Sequence, residues 1–264
     1  MYPKIFDAMP LDAVMSSATQ NIMLAFGSIN LLLAGWFFIV EIKRRKDWVP
    51  LYAFLGGGLV VIAEPLADIL FSAFYPVHGA IGYIDLLGRA VPLIIGMNYF
   101  WYMALPPVYF LKRLEQGLTT ASFWRLYLVA FMFAEVGELL GVNVGAWYYY
   151  GPHPFVVFGV PQWVVFVYSG FLVTLCAGLH FMATSLDRHQ HWIIIPGMLF
   201  FYIAGFATLA LPAADAMLTT DNPVWIYLGG TASIVISLLL TYVVSLIFCI
   251  DGKRAMTKMG ESPR

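Results

Sequence analysis

The chain of 264 residues is 61% hydrophobic and only 11% charged, with a mean hydropathy of +0.81. Soluble domains carry about 25% charged residues, so this composition excludes an ordinary soluble enzyme and predicts an integral membrane protein. The net charge of −1 says nothing about nucleic acid, but no basic patch exists outside short loops, so no nucleic-acid partner is expected.

In chain order, residues 1–19 carry Lys4, Asp7 and Asp12 ahead of any apolar run, which argues against a cleaved signal peptide and predicts an extracytoplasmic segment. A membrane span needs about 20 mostly apolar residues. Seven stretches qualify: 20–42, 49–74, 91–111, 122–142, 160–182, 192–213 and 224–250. Lipid cannot satisfy open backbone groups, so all seven are expected as helices. The predicted fold is all-α, a polytopic bundle of seven transmembrane helices over 20–250, followed by a cytoplasmic tail, 251–264. Lys43, Arg44, Arg45, Lys46, Lys112, Arg113, Arg125, Arg188, Lys253, Arg254, Lys258 and Arg264 all fall on one side, leaving Lys4 and Arg89 on the other. The excess of basic residues marks the cytoplasmic side and places the N-terminus outside. A multi-pass protein of a cell membrane, read as the bacterial inner membrane, is expected. Cys176 and Cys249 fall in apolar stretches and read as buried thiols.

Two acid pairs stand out in the second and fourth spans: Glu64 with Asp68, and Glu135 with Glu138. Acids in hydrocarbon are costly and mark function by default. The spacings i, i+4 and i, i+3 place the members of each pair on one helix face. Pro65 is expected to bend the second span and open space beside its acids. Gly137 and Gly141 are expected to let another helix approach the fourth. Both pairs, together with Asn98 and Asp215, fall toward the outer side, which predicts a pocket opening there. Two neighbouring buried carboxyls supply one protonated and one ionised group, the requirement of general acid–base catalysis. The structural alternative is that each acid merely bonds a neighbouring side chain or helix end. Arg89 either pairs with Asp85 one turn away or reaches one of the acids. The segment Trp147–Pro154, with Tyr148, Tyr149, Tyr150 and His153, is either an interfacial aromatic belt or a wall over the site.

Other chemistries are excluded by residues that are missing. No HxxxH or HxxHH box supports a di-iron desaturase, and Glu135 and Glu138 lack a Glu-x-x-His partner. The seventh span has no lysine to hold retinal. Pro161-Gln162 resembles the signature of PQ-loop transporters, but the first half has no matching dipeptide. No metal and no cofactor are expected.

The order of several short motifs carries a resemblance. Glu64-Pro65-Leu66-Ala67-Asp68 precedes Phe74-Tyr75-Pro76 and Gly88-Arg89-Ala90-Val91-Pro92, then an aromatic helix with Tyr99, Trp101 and Tyr102. Leu114-Glu115-Gln116-Gly117, Tyr149-Tyr150-Gly151-Pro152-His153-Pro154-Phe155 and Gly159-Val160-Pro161-Gln162-Trp163 follow. From about residue 60 to 212 this series resembles the spirocyclase AveC family of bacterial membrane proteins. The resemblance implies an enzyme that closes spiroketal rings on a polyketide, in some members with dehydration. A looser likeness of architecture is to small seven-helix membrane terpene cyclases, in which Glu64 and Asp215 take the roles of an early and a late acid.

The expected function is therefore a cofactor-independent cyclase or dehydratase acting on a lipophilic polyketide or isoprenoid within the bilayer. Glu64, Asp68, Glu135 and Glu138 are the candidate catalytic residues. Arg89, Asn98, Tyr102, Tyr149, His153, Trp163 and Asp215 are the candidate substrate-binding residues. The competing expectations are a terpene cyclase, and a proton-coupled transporter or lipid-binding membrane protein.

Overall fold

The computed structural model describes residues 4–251, so the basic tail residues Lys253, Arg254, Lys258 and Arg264 lie outside the described residues. The chain is an all-α bundle with three short two-stranded ribbons at one end. Helix α1 spans Ser17–Arg45. It is capped by Ser16, whose side chain accepts from the Thr19 amide at 3.0 Å, and Lys46 ends it in the left-handed region at φ 55°. Six helical segments among the described residues are long and apolar enough to cross a membrane: Ser17–Arg45, Val49–Phe71, Thr120–Val144, Gln162–Ser185, Arg188–Thr219 and Pro223–Phe248.

The second of these is not one regular helix. Helix α2, Val49–Leu59, tightens into a 3-10 turn over Val60–Ala63 and resumes as α3, Glu64–Phe71, with Pro65 in its first turn. The irregularity expected at Pro65 is present, and it sits immediately before Glu64. A proline in a first turn costs no intrahelical bond, so the chain restarts there at little expense. Gly56, Gly57 and Gly58 let α2 lie close to its neighbours. A Cβ at these three positions would meet Met198, Ala104 and the Phe100 ring respectively.

The stretch predicted as the third span, 91–111, is divided. Residues Arg89–Pro92 form β3, paired with β2, Tyr83–Leu86, and helix begins only at α4, Leu93–Tyr102. The chain breaks at Met103 and Ala104 and continues as α5, Leu105–Glu115, with Pro106 and Pro107 following the break. Each proline lacks an amide hydrogen, so neither suits the interior of one continuous helix, and both are tolerated in a first turn. The β2–β3 connection uses Leu87 at φ 55° and Gly88 at φ 68°, both positive, as a tight two-residue hairpin demands. Arg89 therefore lies across a hairpin from Asp85, not one helical turn away.

Helices α6 (Thr120–Val144), α7 (Gln162–Ser185), α8 (Ile194–Thr219) and α9 (Pro223–Phe248) complete the bundle. The most deeply enclosed helix is α7, which packs on α5, α6, α8 and α9; Trp163, Phe171, Leu175 and Leu179 on it are fully buried. Helix α8 adds Tyr202 and Phe206 to this core and packs on α2, α3, α7 and α9. The apolar outer faces of α1 and α6, with Leu32, Trp36, Leu128 and Val129 exposed, suit contact with lipid.

The two ends of the bundle differ. At one end the C-termini of α1 and α5 are tied by charge: Glu41 accepts from Lys112 Nζ at 2.7 Å and from Arg44 Nε at 2.7 Å, and Arg44 also reaches Glu115 at 2.8 Å. The Glu41 side chain is fully buried. At the other end, β1 (Ala73–Phe74) pairs with β4 (Tyr148–Tyr149), and β5 (Val156–Val157) with β6 (Val160–Pro161). Both cysteines are buried and neither is in a disulfide, as expected.

Candidate active site

The restart of the helix at Glu64 aims this acid into the bundle, next to the ribbon end. Its carboxylate is ringed by phenols. Tyr75 Oη donates to Oε1 at 2.6 Å; Tyr99 Oη donates to Oε2, and Tyr202 Oη approaches the same oxygen at 3.5 Å. These donors come from three places: the turn after β1, α4 and α8. Glu64 is 3% exposed, so this ring replaces the water that the carboxylate would otherwise bind.

Glu138 is the corresponding acid on α6. Trp147 Nε1 donates to its Oε2 at 2.9 Å and Tyr149 Oη to the same oxygen at 2.8 Å. Its Oε1 accepts no hydrogen bond among the described residues. Gly141, one turn on, leaves room for the indole: a Cβ there would overlap the Trp147 ring. The expected helix approach at Gly141 is thus the approach of one side chain. Gly137 has open space where a Cβ would lie, and it borders a cavity.

Glu64 and Glu138 line that same cavity, a space of about 110 Å³ walled by Tyr75, Tyr99, Tyr102, Trp147 and Tyr168. Asn98 also lines it, with its amide held between the Ile94 carbonyl (2.8 Å) and the Trp101 indole (3.0 Å). Trp101, Tyr102 and Phe133 are shared with a larger apolar crevice of about 550 Å³ among α1, α5, α6 and α7. Exposed Leu33 and Trp36 on α1 and Val129 on α6 flank this crevice, so it opens on the outer surface of the bundle. Helices α1 and α6 touch near the ribbon end, where Phe26 and Phe133 stack with centroids 6.4 Å apart.

The other member of each acid pair goes elsewhere. Glu135 is half-buried on α6 and its Oε1 accepts from Gln162 Nε2 at 3.0 Å; it does not line the cavity. Asp68, 3% exposed, lines a second space of about 350 Å³ at the ribbon end, together with Tyr75, His78, Asp85 and Arg89. The two pairs therefore contribute one acid each to the cavity.

Arg89 forms no ion pair among the described residues with Asp85 or with any of the four acids. One of its nitrogens donates to Tyr150 Oη at 2.7 Å, another meets Met9 Sδ at 2.7 Å, and the guanidinium lies 5.4 Å from the Phe6 ring centroid. His153 and Trp163 hold each other: the rings stack at 6.2 Å and the indole donates to Nδ1 at 3.4 Å. Burial pushes the His153 imidazole down to about 4, so it is neutral at ordinary pH. Neither residue borders the cavity. Asp215 is exposed on α8 and lines none of these spaces, which leaves the early-acid, late-acid arrangement of a terpene cyclase without its second member.

Several residues the site uses carry weak sequence signals. Tyr75, outside the spans, is held well above its usual range by burial and by Glu64 and Asp68, so it keeps its proton and donates. Tyr149 is held up likewise by burial and Glu138. Tyr202 has no motif around it, and its role appears only once α8 packs on α3. Outside the site, Glu41 also lies inside the first predicted span, and the basic run two residues later is the signal of its pairing.

Compared with protein-family models, with curated proteins and with solved structures, the chain matches none.

Proposed function

We propose that this protein is a cofactor-independent membrane enzyme that cyclises or dehydrates a lipophilic substrate, with Glu64 and Glu138 as its acid–base pair. The observation that carries the reading is that these two acids, from different helices, line one cavity that adjoins an apolar crevice open to the bundle surface. Glu138 has one carboxyl oxygen free to meet a substrate, while the other is fixed by Trp147 and Tyr149. Fixed donors orient a catalytic carboxyl without reorganisation during the reaction.

In the ketalisation that the AveC resemblance suggests, protonated Glu138 gives its proton to a substrate carbonyl oxygen. A substrate hydroxyl attacks the carbonyl carbon, and Glu64 takes the proton of that hydroxyl. Glu64 then gives that proton to the hemiketal hydroxyl, which leaves as water, and Glu138 takes the proton of the second substrate hydroxyl as it closes the other ring, so both acids return to their starting states. The aromatic walls, Tyr102 and Trp147 among them, shield the cationic intermediate from bulk water. In this reading the seven membrane crossings are completed by α4 and α5 together. The basic end faces the cytoplasm, the ribbon end faces outward, and the setting is a bacterial inner membrane.

The test is incubation of membranes containing the protein with polyketide and isoprenoid candidates, following product mass for wild type, Glu64→Gln and Glu138→Gln. Loss of product formation in both variants supports the pair; normal turnover in both overturns it.

A further inference from the structure

The cavity and the ribbon-end vestibule are separate spaces, but Tyr75 lines both. On the cavity side its hydroxyl donates to Glu64 Oε1 at 2.6 Å. On the vestibule side stands Asp68, one helical turn beyond Glu64 on α3. Asp68 is buried yet accepts no hydrogen bond among the described residues. A buried carboxyl without a protein donor is costly, and water in the adjoining space is one way such a group is satisfied. Arg89 and Asp85 line the same vestibule, so charge of both signs is available to hold water there.

The geometry points to a proton path from the vestibule through Asp68 and Tyr75 to Glu64. In one transfer the Tyr75 hydroxyl turns from Glu64 toward the vestibule, accepts a proton from Glu64 and releases its own to a vestibule water that Asp68 meets, since Tyr75 and Asp68 share no direct hydrogen bond. The phenol is unchanged, and one proton has moved from cavity to vestibule. The reverse transfer recharges Glu64. The groups facing this path are Tyr99 from α4, Tyr202 from α8, Tyr168 from α7, Glu138 from α6, Trp147 from the loop after α6, Asp85 from β2, Arg89 from β3 and His78 from the loop between β1 and β2. Tyr99 and Tyr202 also reach Glu64, but neither lines the vestibule. Tyr75 is thus the phenol placed to connect the two spaces. A hydroxyl there lets a proton through while its ring, edge-on to Trp147 at 6.2 Å, keeps bulk water out of the cavity. The inference rests on Glu64 as a proton-exchanging acid, as the proposed function requires, but it does not depend on the substrate.

The test is hydrogen–deuterium exchange of the Glu64 carboxyl in the full chain in lipid nanodiscs. Exchange is followed by the infrared carboxyl band that disappears in Glu64→Gln. Tyr75→Phe, which keeps the ring, is expected to slow exchange at least about tenfold, and Asp68→Asn is expected to slow it as well. Tyr202→Phe, which removes a hydroxyl from Glu64 but not from the vestibule, is expected to leave the rate near wild type. Wild-type exchange in Tyr75→Phe overturns the path. Equal slowing in Tyr202→Phe overturns it too, because it reports a general effect of loosening Glu64. If no Glu64 band appears at any pH, Glu64 never carries the proton and the path is again overturned. Failure to turn over any substrate while Tyr75→Phe slows exchange would count against the enzyme reading and leave the path standing.

Discussion

Glu64 and Glu138 line one cavity from two different helices, and ring donors hold both oxygens of Glu64 and one oxygen of Glu138. Exchanging either for its amide is therefore expected to remove chemistry while leaving the packing. Glu138→Gln is expected to lower turnover by about 10²–10⁴-fold. Glu135→Gln, which changes a residue engaged by Gln162 outside the cavity, is expected to lower it by less than roughly tenfold. Product mass from membranes of the two variants checks the contrast, and equal losses would return Glu135 to the site.

Gly137 borders the cavity with open space at its missing Cβ. Gly137→Leu is expected to fill a space of only about 110 Å³ and abolish turnover. Stability should hold or rise, because leucine is the better helix former by about 0.8–1 kcal/mol. A normal melting temperature with lost activity is the expected pair of readings; lost activity through unfolding would contradict it.

Gly141 makes room for the Trp147 indole that orients Glu138. Gly141→Ala is expected to displace that ring at a cost of about 1–3 kcal/mol in stability and to lower turnover with it. Thermal melting of purified protein, read alongside product formation, checks both.

Glu41 joins Lys112 and Arg44 between the ends of α1 and α5. Removing one member of a buried pair costs about 3–5 kcal/mol. Lys112 and Arg44 remain 26% and 37% exposed and regain water, so the expected loss for Glu41→Ala is smaller, about 1–3 kcal/mol. Turnover at low temperature should persist, which separates this acid from Glu64 and Glu138.

His153 titrates near 4 when folded and near its ordinary 6.5 when unfolded. Between those values the unfolded chain binds a proton that the folded chain refuses. Stability is therefore full above 6.5 and falls as pH drops toward 4, by up to about 3 kcal/mol. His153→Phe is expected to flatten the difference in melting temperature between pH 7 and pH 4.5; an unchanged slope would show that other groups cause it.

The helices were legible because long apolar runs have few other solutions. The interruption in the third was not, because Met103 and Ala104 are good helix residues and only the prolines beyond them hint at a break. Glu64 and Glu138 were legible because an acid in an apolar stretch stands out. Their partnership was not, because helical spacing groups residues within a helix, whereas the cavity takes one acid from each of two. The Pro65 irregularity sets α3 apart from α2, and Tyr75 then stands between Glu64 and the vestibule that Asp68 lines. Tyr202 joined the site only through packing of α8 on α3, a relationship that no local pattern encodes.

The crevice between α1 and α6 has a practical corollary. A molecule that arrives through it never dissolves in water on its way, so the concentration that governs occupancy is its mole fraction among the surrounding lipids. Adding empty vesicles or extra detergent should then slow the reaction at constant total substrate, by spreading the same molecules over more hydrophobic phase.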